Sequence, residues 1–257
     1  MSLIKSGPEL ELMRAAGTLA AEVLDEIAAF IRPGVTTLQV DEFAGATMKK
    51  RGCHSAFLGY RKYPRHTCLS VNDEVVHGLA GERVLRFGDI VSIDCGVRHE
   101  GYVGDTATTV AVGGCSAAAQ RLMDVTQQAL HKGIERAVAG NRVTDISRAV
   151  QNYVEGNGFS VVREFVGHGV GKSVHEEPQV PNFVDAGSNA KLKAGMTIAI
   201  EPMVNMGRPD VKILKDGWTV VTQDGSLSAH FEHTVLITAG APEILTWVRT
   251  PSGSKAA

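Results

Sequence analysis

The sequence predicts an α+β domain of two related halves, in which helices pack on one face of a curved, largely antiparallel sheet. Each half places two segments of helical periodicity before several short strand-like segments, and short motifs recur in both halves in the same order. The halves meet near the "VGGCS" segment, so they span about residues 1–115 and 116–249 of one domain, 1–257. Residues 250–257, "TPSGSKAA", are predicted to form a disordered tail.

The first two predicted helices follow from start signals and apolar spacing. Ser6 and Pro8 begin the first helix, which ends at "RPG", residues 32–34, and the second runs from about Thr37 to Arg51.

The second half repeats this arrangement. Ser116 is expected to cap the third helix, and the fourth runs from Thr144 to about Gly156. The second and fourth helices open on a shared Val-Thr motif, in which Thr36 and Thr144 are the expected N-caps.

Strand-like segments follow the helices in each half, and they carry the clearest repeat. "LRFGDIVSID", residues 85–94, and "LKAGMTIAIE", residues 192–201, share a leucine, a basic residue, a glycine and a final carboxylate in register. "VVHG" and "VGHG" each place a histidine before a glycine upstream of these segments. The predicted strands are "DIVSIDCGV", "YVGDTATTVAV", "TIAIEPMV" and "HFEHTVLIT". The interface between the halves is the expected place for a site.

Composition excludes several classes of protein. With 26 basic and 28 acidic residues the net charge is −2, so no overall basic field would recruit nucleic acid, and the Lys49–Arg51 patch is interpreted as a solvated helix end. No apolar run reaches the ~20 residues of a membrane span. The four cysteines have no C-x-x-C spacing, which favours reduced thiols and a cytoplasmic location.

The segment "VGHGVGKSVHEEP", residues 166–178, resembles the end of a phosphate-binding P-loop but lacks its first glycine, where Val166 stands. Its histidines, His168 and His175, and the two glutamates that follow favour a metal instead.

Two aspartates in the first half are expected to face each other. If the chain turns at His99-Glu100, Asp94 and Asp105 lie directly opposite across a hairpin, on the same side. Opposed like charges destabilise a sheet, so a metal ion is the strongest candidate to compensate them. The alternative is two exposed acids near a loop.

The second half supplies two further strand-borne acids, Glu201 and Glu232, among apolar neighbours. With His168 they complete a set of two Asp, two Glu and one His, enough for two divalent ions with shared carboxylates. Oxygen ligands dominate, so Mn²⁺, Fe²⁺ and Co²⁺ fit as well as Zn²⁺, and a structural zinc site would want thiolates.

Five further motifs stand out: "GYRKYPRHTCLSVNDEVVHG", "IDCGVRHEGYVGDT", "GHGVGKSVHEEPQVPNF", "IAIEPM" and "DGSLSAHFEHTVLIT". Together they resemble the type I methionine aminopeptidases of the pita-bread fold, and the resemblance covers residues 3–248. The resemblance implies a metallo-aminopeptidase that removes the N-terminal methionine of nascent proteins when the second residue is small, using water activated by two metal ions.

The resemblance also implies a role for each site residue. Asp94 would bind one metal, His168 and Glu201 the other, and Asp105 and Glu232 would bridge. Glu201 would act as general base, and His175 and His77 would contact the substrate beside the metals. A loop histidine without a role is the alternative for His77.

The implied methionine pocket consists of Phe57, Tyr60, Tyr63, Cys68 and Trp218, each of which could instead be a core residue. Val174 departs from the family, in which a bulkier aromatic often stands beside the second histidine. The remaining histidines are interpreted as surface or structural residues: His54, His66, His99, His131, His230 and His233.

Three rival interpretations remain. Xaa-Pro aminopeptidases and creatinase-like enzymes carry an additional N-terminal domain, for which the first helix leaves no room. Type II methionine aminopeptidases have a long insert between the positions of Glu201 and Glu232, and nothing in this sequence suggests such an insert. A non-catalytic relative would tend to lose ligands, whereas all five are present here. The expected partners are nascent polypeptide N-termini and a transient ribosome contact, for a monomer that uses neither nucleic acid nor membrane.

Overall fold

The computed structural model describes residues 3–247, and the predicted tail at 250–257 lies outside them. Its helices lie where the sequence predicts them. Within the described range they are α1 (Gly7–Phe30), α2 (Thr37–Lys50), α3 (Ala117–Ile134), α4 (Val143–Gly156) and a short 3₁₀ helix (Tyr60–Lys62). None of the helices in this range is both long and apolar enough to cross a membrane.

The helix caps agree with the prediction except at α4. The Thr36 hydroxyl accepts from the Gln39 N–H at 3.1 Å, and Ser116 accepts from the backbone of α3 in the same way. Thr144, the expected cap of α4, lies inside the helix, and the cap is Arg142. The reason is Asp145, whose carboxylate accepts from the Arg142 N–H at 2.9 Å and so fixes the helix start two residues earlier.

Fifteen strands are present in the described residues. They are β1 (His54–Ser55), β2 (Cys68–Val71), β3 (Glu74–Val76), β4 (Ile90–His99), β5 (Tyr102–Ala111), β6 (Ser160–Val161), β7 (Gly167–Gly169), β8 (Glu176–Val180), β9 (Thr197–Ile200), β10 (Met203–Asn205), β11 (Val211–Ile213), β12 (Val220–Thr222), β13 (Ser228–His230), β14 (Glu232–Leu236) and β15 (Glu243–Ile244).

The strands form one large sheet and two small ones. The large sheet has nine strands in the order β1-β4-β5-β14-β9-β7-β8, with β2 also paired to β4 and β15 to β14. The small sheets are β13-β10-β6 and β11-β12-β3. Neighbouring strands run antiparallel, as predicted.

The hairpin β4-β5 has a different register from the predicted one. His99 pairs with Tyr102, so the turn lies at Glu100-Gly101, one residue later than expected. Both turn residues have positive φ, 45° and 84°, which a glycine at the second position allows. Asp94 therefore faces Ala107 rather than Asp105. Because residues two apart share a face, both aspartates still lie on the same side.

The predicted strand "TIAIEPMV" is broken in two at Glu201-Pro202. Its first part is β9 in the large sheet and its second part is β10 in a small sheet. Proline has no N–H to donate to a neighbouring strand, so the ladder ends there. The carbonyl of Glu201 instead accepts from the side-chain amide of Asn182 at 3.0 Å.

Helices cover one face of the large sheet. One apolar cluster joins α1 and α2 to β2 and β4, and another joins α3 and α4 to β9 and β14. In β4 the residues that reach the helices are Val91, Ile93, Cys95 and Val97. Asp94 alternates with them, so it points to the opposite face, which we call the front face. At the end of α2, Arg51 pairs with Glu22 and Glu26.

Candidate metal centre

The carboxylates of the predicted ligand set lie on the front face of adjacent strands. Asp94 on β4 and Glu232 on β14 both pair with Ala107 of β5, so the three residues form one row across the sheet. Asp105 lies two residues from Ala107 on the same strand. Residues opposite each other on neighbouring strands share a face, and so do residues two apart. Sheet pairing alone therefore brings three carboxylates together.

Glu201 and His168 complete the cluster. Glu201 directly follows β9, whose Ile200 pairs with His233, the neighbour of Glu232. His168 lies on β7, and its Nε2 is 3.3 Å from Glu201 Oε1 and 4.0 Å from Asp105 Oδ2. Donor atoms of Asp105, His168 and Glu232 lie within 4.8 Å of one another. This spacing suits a shared metal ion.

Several polar atoms of this cluster are shielded from solvent and have no hydrogen-bond partner among residues 3–247. They are Asp94 Oδ1, Asp105 Oδ1, Glu201 Oε1, Glu232 Oε1 and His230 Nε2. Buried polar atoms in folded proteins are nearly always paired, and unpaired carboxylate oxygens are costly. One oxygen from each of the four acids is thus available to a cation, and the donor set fits a divalent metal.

Burial perturbs every carboxylate of the cluster in the same direction. It raises the pKa of Asp105 from its ordinary value of 3.8 to about 7. Burial, with the charge of Asp105, raises the pKa of Asp94 well above its usual range. Burial also raises the pKa values of Glu201 and Glu232, and the charges of neighbouring acids add to it: chiefly Asp94 for Glu201 and Asp105 for Glu232. Several anions in one buried site need a positive charge to remain ionised together.

His168 is held in the tautomer that a metal ligand needs. Its Nδ1 lies 3.0 Å from the carbonyl oxygen of Gly169, which can only accept, so Nδ1 carries the proton. Nε2 then presents a lone pair towards the carboxylates. Burial lowers the pKa of His168 to about 3, which keeps the ring neutral. His168 is therefore suited to bind a cation rather than to donate to its neighbours.

All the predicted site residues line one cavity of about 280 Å³. These residues are the five predicted ligands, the two predicted substrate histidines and the five predicted pocket residues. The cavity is also lined by residues that the sequence analysis does not assign to the site: Arg61, Val76, Glu164, Phe165, Val166 and Met203.

The aromatic part of the cavity is rigidly held. Tyr63 meets Trp218 edge to face, with ring centroids 5.0 Å apart, and its hydroxyl lies 3.1 Å from the carbonyls of Thr67 and Gly78. Cys68 pairs with Asp94 across β2 and β4, which places the thiol next to the carboxylates. Val174, the departure from the family, is buried in the same wall.

The two predicted substrate histidines flank the cluster. The ring of His175 lies 4.2 Å from that of His168, and its Nδ1 is 2.9 Å from the Tyr60 hydroxyl. His77 has a positive φ of 58° and contacts the edge of Phe165. Burial lowers the pKa of His77 to about 4, and burial followed by the charge of Arg61 lowers that of His175. Both rings are thus neutral near pH 7.

A buried ion pair anchors the segment that carries His175. Lys5 Nζ donates to Glu176 Oε2 at 2.7 Å, and the two side chains are only 6% and 8% exposed. The other Glu176 oxygen accepts from the Ser173 N–H at 3.2 Å. The residue next to His175 is therefore fixed to the start of α1 and to its own loop.

His230 was interpreted from the sequence as a surface or structural residue, and its place in the site was missed. It is 1% exposed, and its Nε2 lies 3.8 Å from Glu201 Oε2. The signal was present: His230 stands two residues before Glu232, so an extended chain puts both on one face. Of the other histidines in that group, His233 has its ring among the back-face residues, near Trp247 and His131.

Comparison with known proteins points in the same direction. Residues 11–239 match the model of metallopeptidase family M24. The methionine aminopeptidase of Clostridium perfringens is 51% identical over 249 residues, covering 97% of this chain and 100% of that protein. Methionine aminopeptidase 1 of Bacillus subtilis is 48% identical, with 96% and 100% covered.

Solved structures agree with the pita-bread architecture. The methionine aminopeptidase of Rickettsia prowazekii superposes with a TM-score of 0.92 at 40% identity, covering 95% of this chain and 99% of that one. The prolidase of Pyrococcus furiosus gives a TM-score of 0.78 at 22% identity, and only 66% of its length is covered. The second likeness concerns the fold alone.

Proposed function

Because this chain belongs to metallopeptidase family M24, we infer that its front-face carboxylates and His168 hold two divalent metal ions for the hydrolysis of peptides at the amino end. Relatives that are 48–51% identical over nearly their full length are methionine aminopeptidases. The reaction is therefore the removal of an N-terminal methionine. The observation that carries the metal assignment is the set of four solvent-shielded carboxylate oxygens without hydrogen-bond partners in residues 3–247.

The ligands divide between two positions. Asp94 would hold one ion, and His168 and Glu201 would hold the other. Asp105 and Glu232 would contribute to both. The short distances among donor atoms of Asp105, His168 and Glu232 support a shared position for the ion next to His168. When bound, the two ions polarise the scissile carbonyl and lower the pKa of a water molecule. Mn²⁺, Fe²⁺, Co²⁺ and Zn²⁺ all suit this donor set.

Glu201 holds and moves the proton of the reaction. Its side chain is only 12% exposed at the end of β9, within reach of the other acids, and it borders the cavity. A carboxylate in this place accepts a proton from water and returns it to the leaving amine.

The two flanking histidines orient the substrate. His175 donates to the oxygen of the scissile carbonyl, a bond that strengthens as negative charge develops there. His77 contacts the peptide nitrogen beyond it. The Tyr60 hydroxyl, 2.9 Å from His175 Nδ1, orients the ring beside the cavity and leaves Nε2 to donate.

The methionine side chain occupies the pocket formed by Phe57, Tyr60, Tyr63, Cys68 and Trp218. These residues give an apolar, aromatic-lined space on the same cavity as the carboxylates. Val174 offers less bulk than an aromatic residue, so it leaves more room in that wall.

We extend the proposal to the cellular setting. The substrates are N-termini of nascent chains, met during a transient ribosome contact in the cytoplasm by a monomer. Residues 1–257 form one catalytic domain whose halves, about 1–115 and 116–249, contribute two acids each.

A peptide series tests the proposed function. In saturating Mn²⁺ or Co²⁺, Met-Gly and Met-Ala peptides should be cleaved, Met-Leu peptides should not, and Ala- or x-Pro-peptides should remain intact. Equal turnover of Met-Gly and Met-Leu would contradict the cramped space assumed beyond the scissile bond. Cleavage of x-Pro-peptides in preference to Met-Gly would favour the prolidase-like alternative.

A further inference from the structure

His230 lies inside the proposed centre but is not one of its ligands. The side chain, on β13, is buried, and its Nε2 has no hydrogen-bond partner in residues 3–247. A buried imidazole nitrogen without a partner is costly, so its retention calls for an explanation. The side chain has Glu201 as its neighbour, at 3.8 Å between Nε2 and Oε2.

The backbone of His230 is fixed by one hydroxyl. Thr109 Oγ1 donates to the His230 carbonyl at 2.8 Å and accepts from the His230 N–H at 3.0 Å. Its remaining acceptor position faces Ser92 Oγ, 2.8 Å away. A hydroxyl has one proton and two lone pairs, so all its capacity is used. Pairing of His230 with Met203 adds a second restraint. The backbone that carries the His230 ring is therefore held in one position.

The two oxygens of Glu201 face different histidines. Oε1 is 3.3 Å from His168 Nε2, which carries no proton, and Oε2 is 3.8 Å from His230 Nε2. An ionised carboxylate can only accept, so the contact on the Oε2 side needs a proton on His230 Nε2. A movement of about 1 Å by the Glu201 side chain would bring this pair to hydrogen-bond length.

We propose that His230 is a positioning residue for Glu201: its Nε2–H donates to Oε2 and leaves Oε1 for the metal side of the centre. This inference rests on the proposed function and deepens it. It gives the two oxygens of one carboxylate separate tasks, which a ligand that also moves a proton requires. A hydrogen bond to a ligating carboxylate orients it, and its loss typically costs 10–100-fold in affinity or activity.

Two substitutions at this position separate the donor from the ring. His230→Gln places an amide N–H near the position of Nε2. His230→Leu introduces an apolar side chain of similar size and so removes the donor. The matched control is His233→Leu, because His233 lies three residues further along the chain with its ring on the other face of the sheet. Thermal unfolding of each variant checks that the protein is folded.

Four measurements decide the matter. They are kcat and KM on a Met-Ala peptide in saturating Co²⁺, the number of Co²⁺ ions bound by calorimetry, and the visible absorption spectrum of bound Co²⁺. We expect His230→Leu to lower kcat about 10–100-fold with two ions still bound and an altered Co²⁺ spectrum. His230→Gln should restore kcat to within a few fold, and His233→Leu should leave the spectrum unchanged.

Three outcomes would overturn the proposal. Loss of one whole ion in His230→Leu would make His230 a ligand. A wild-type kcat and spectrum in His230→Leu would leave it without a role at Glu201. If His230→Gln restored neither kcat nor the Co²⁺ spectrum, the N–H donor at this position would not be what positions Glu201. An inactive wild-type protein would instead refute the proposed function, and the Co²⁺ spectrum would still test the inference.

Discussion

The two faces of strands β5 and β14 both lie largely inside the protein but are chemically opposite. On the front face, Asp105 and Glu232 are each 2% exposed and each keep an oxygen without a hydrogen bond in residues 3–247. On the back face, the Thr106 hydroxyl donates to the Glu232 carbonyl at 2.9 Å, and His233 Nδ1 lies 2.9 Å from the Thr246 hydroxyl. Burial is therefore common to both faces, and what distinguishes the functional one is polar groups left without partners.

The largest loss of activity is expected from a substitution of Glu201, on the front face. Glu201→Gln keeps the shape and one acceptor oxygen but removes the charge and the basicity. We expect kcat to fall by at least ~10²–10⁴-fold, even in saturating metal, because general acid–base catalysis typically contributes that much. The measurement is kcat on a Met-Ala peptide across a Mn²⁺ or Co²⁺ titration.

Asp94→Asn is the control for that experiment, because Asp94 is a proposed ligand without a proton role. Its defect should be partly recovered by excess metal. Recovery of Glu201→Gln to near the wild-type rate would show that Glu201 is only a ligand and that the base lies elsewhere.

A smaller effect is expected at His175, on the edge of the front-face cluster. His175→Ala should lower kcat by about 10²–10³-fold, the usual cost of removing one donor to a developing oxyanion. Metal content, measured by elemental analysis of the purified protein, should not change. Loss of a metal ion would assign His175 to the ligands instead.

The unpaired carboxylates also predict a pH dependence of stability in metal-free protein. Above about pH 6.5 the folded Asp105, with its pKa near 7, still holds protons that the unfolded chain, with an ordinary value of 3.8, has lost. The folded state then binds more protons, so the free energy of unfolding should fall as pH rises towards 8. The lowered pKa values of the buried histidines act in the opposite sense, but only below their ordinary value of about 6.5.

Melting temperatures of chelator-treated protein at pH 6.5, 7.2 and 8.0 would measure this fall. Added Mn²⁺ should stabilise the protein most at pH 8.0, because metals bind deprotonated carboxylates. A metal-free melting temperature that rises over this range would contradict the raised carboxylate pKa values.

The smallest effect on activity is expected on the back face. His233→Leu removes one of the two partners of the Thr246 hydroxyl, which also accepts from the Thr234 N–H, and should lower the free energy of unfolding by about 1 kcal/mol. The ring lies away from the ligands, so kcat should stay within about twofold of the wild type. A kcat loss as large as that of His175→Ala would mean that the two faces are not chemically separate.

The sequence predicts the helices well, and it points to the five candidate ligands, because both leave local signals. Helices follow from caps and apolar spacing, and an acid within an apolar strand, such as Glu201, is conspicuous wherever the strand lies. The exact pairing of Asp94 was wrong by one turn position, because Glu100-Gly101 and His99-Glu100 are both acceptable turns until the whole ladder is formed.

Two features have local signals that the apolar pattern hides. The end of the ladder at Glu201-Pro202 is signalled by Pro202, but the apolar run continues on both sides of it. The role of Arg142 as a cap follows from Asp145, three residues later. For His230 the sequence indicates only the face that it shares with Glu232, and its contact with Glu201 depends on residues distant along the chain.

The ion pair between Lys5 and Glu176 joins residues that are 171 positions apart. Closing so long a loop costs chain entropy before any contact repays it, and contacts of this kind slow folding. The segment beside His175 can therefore be anchored only after the start of the chain and the second half have come together. An enzyme that trims newly made proteins would thus acquire its own working geometry late in its folding.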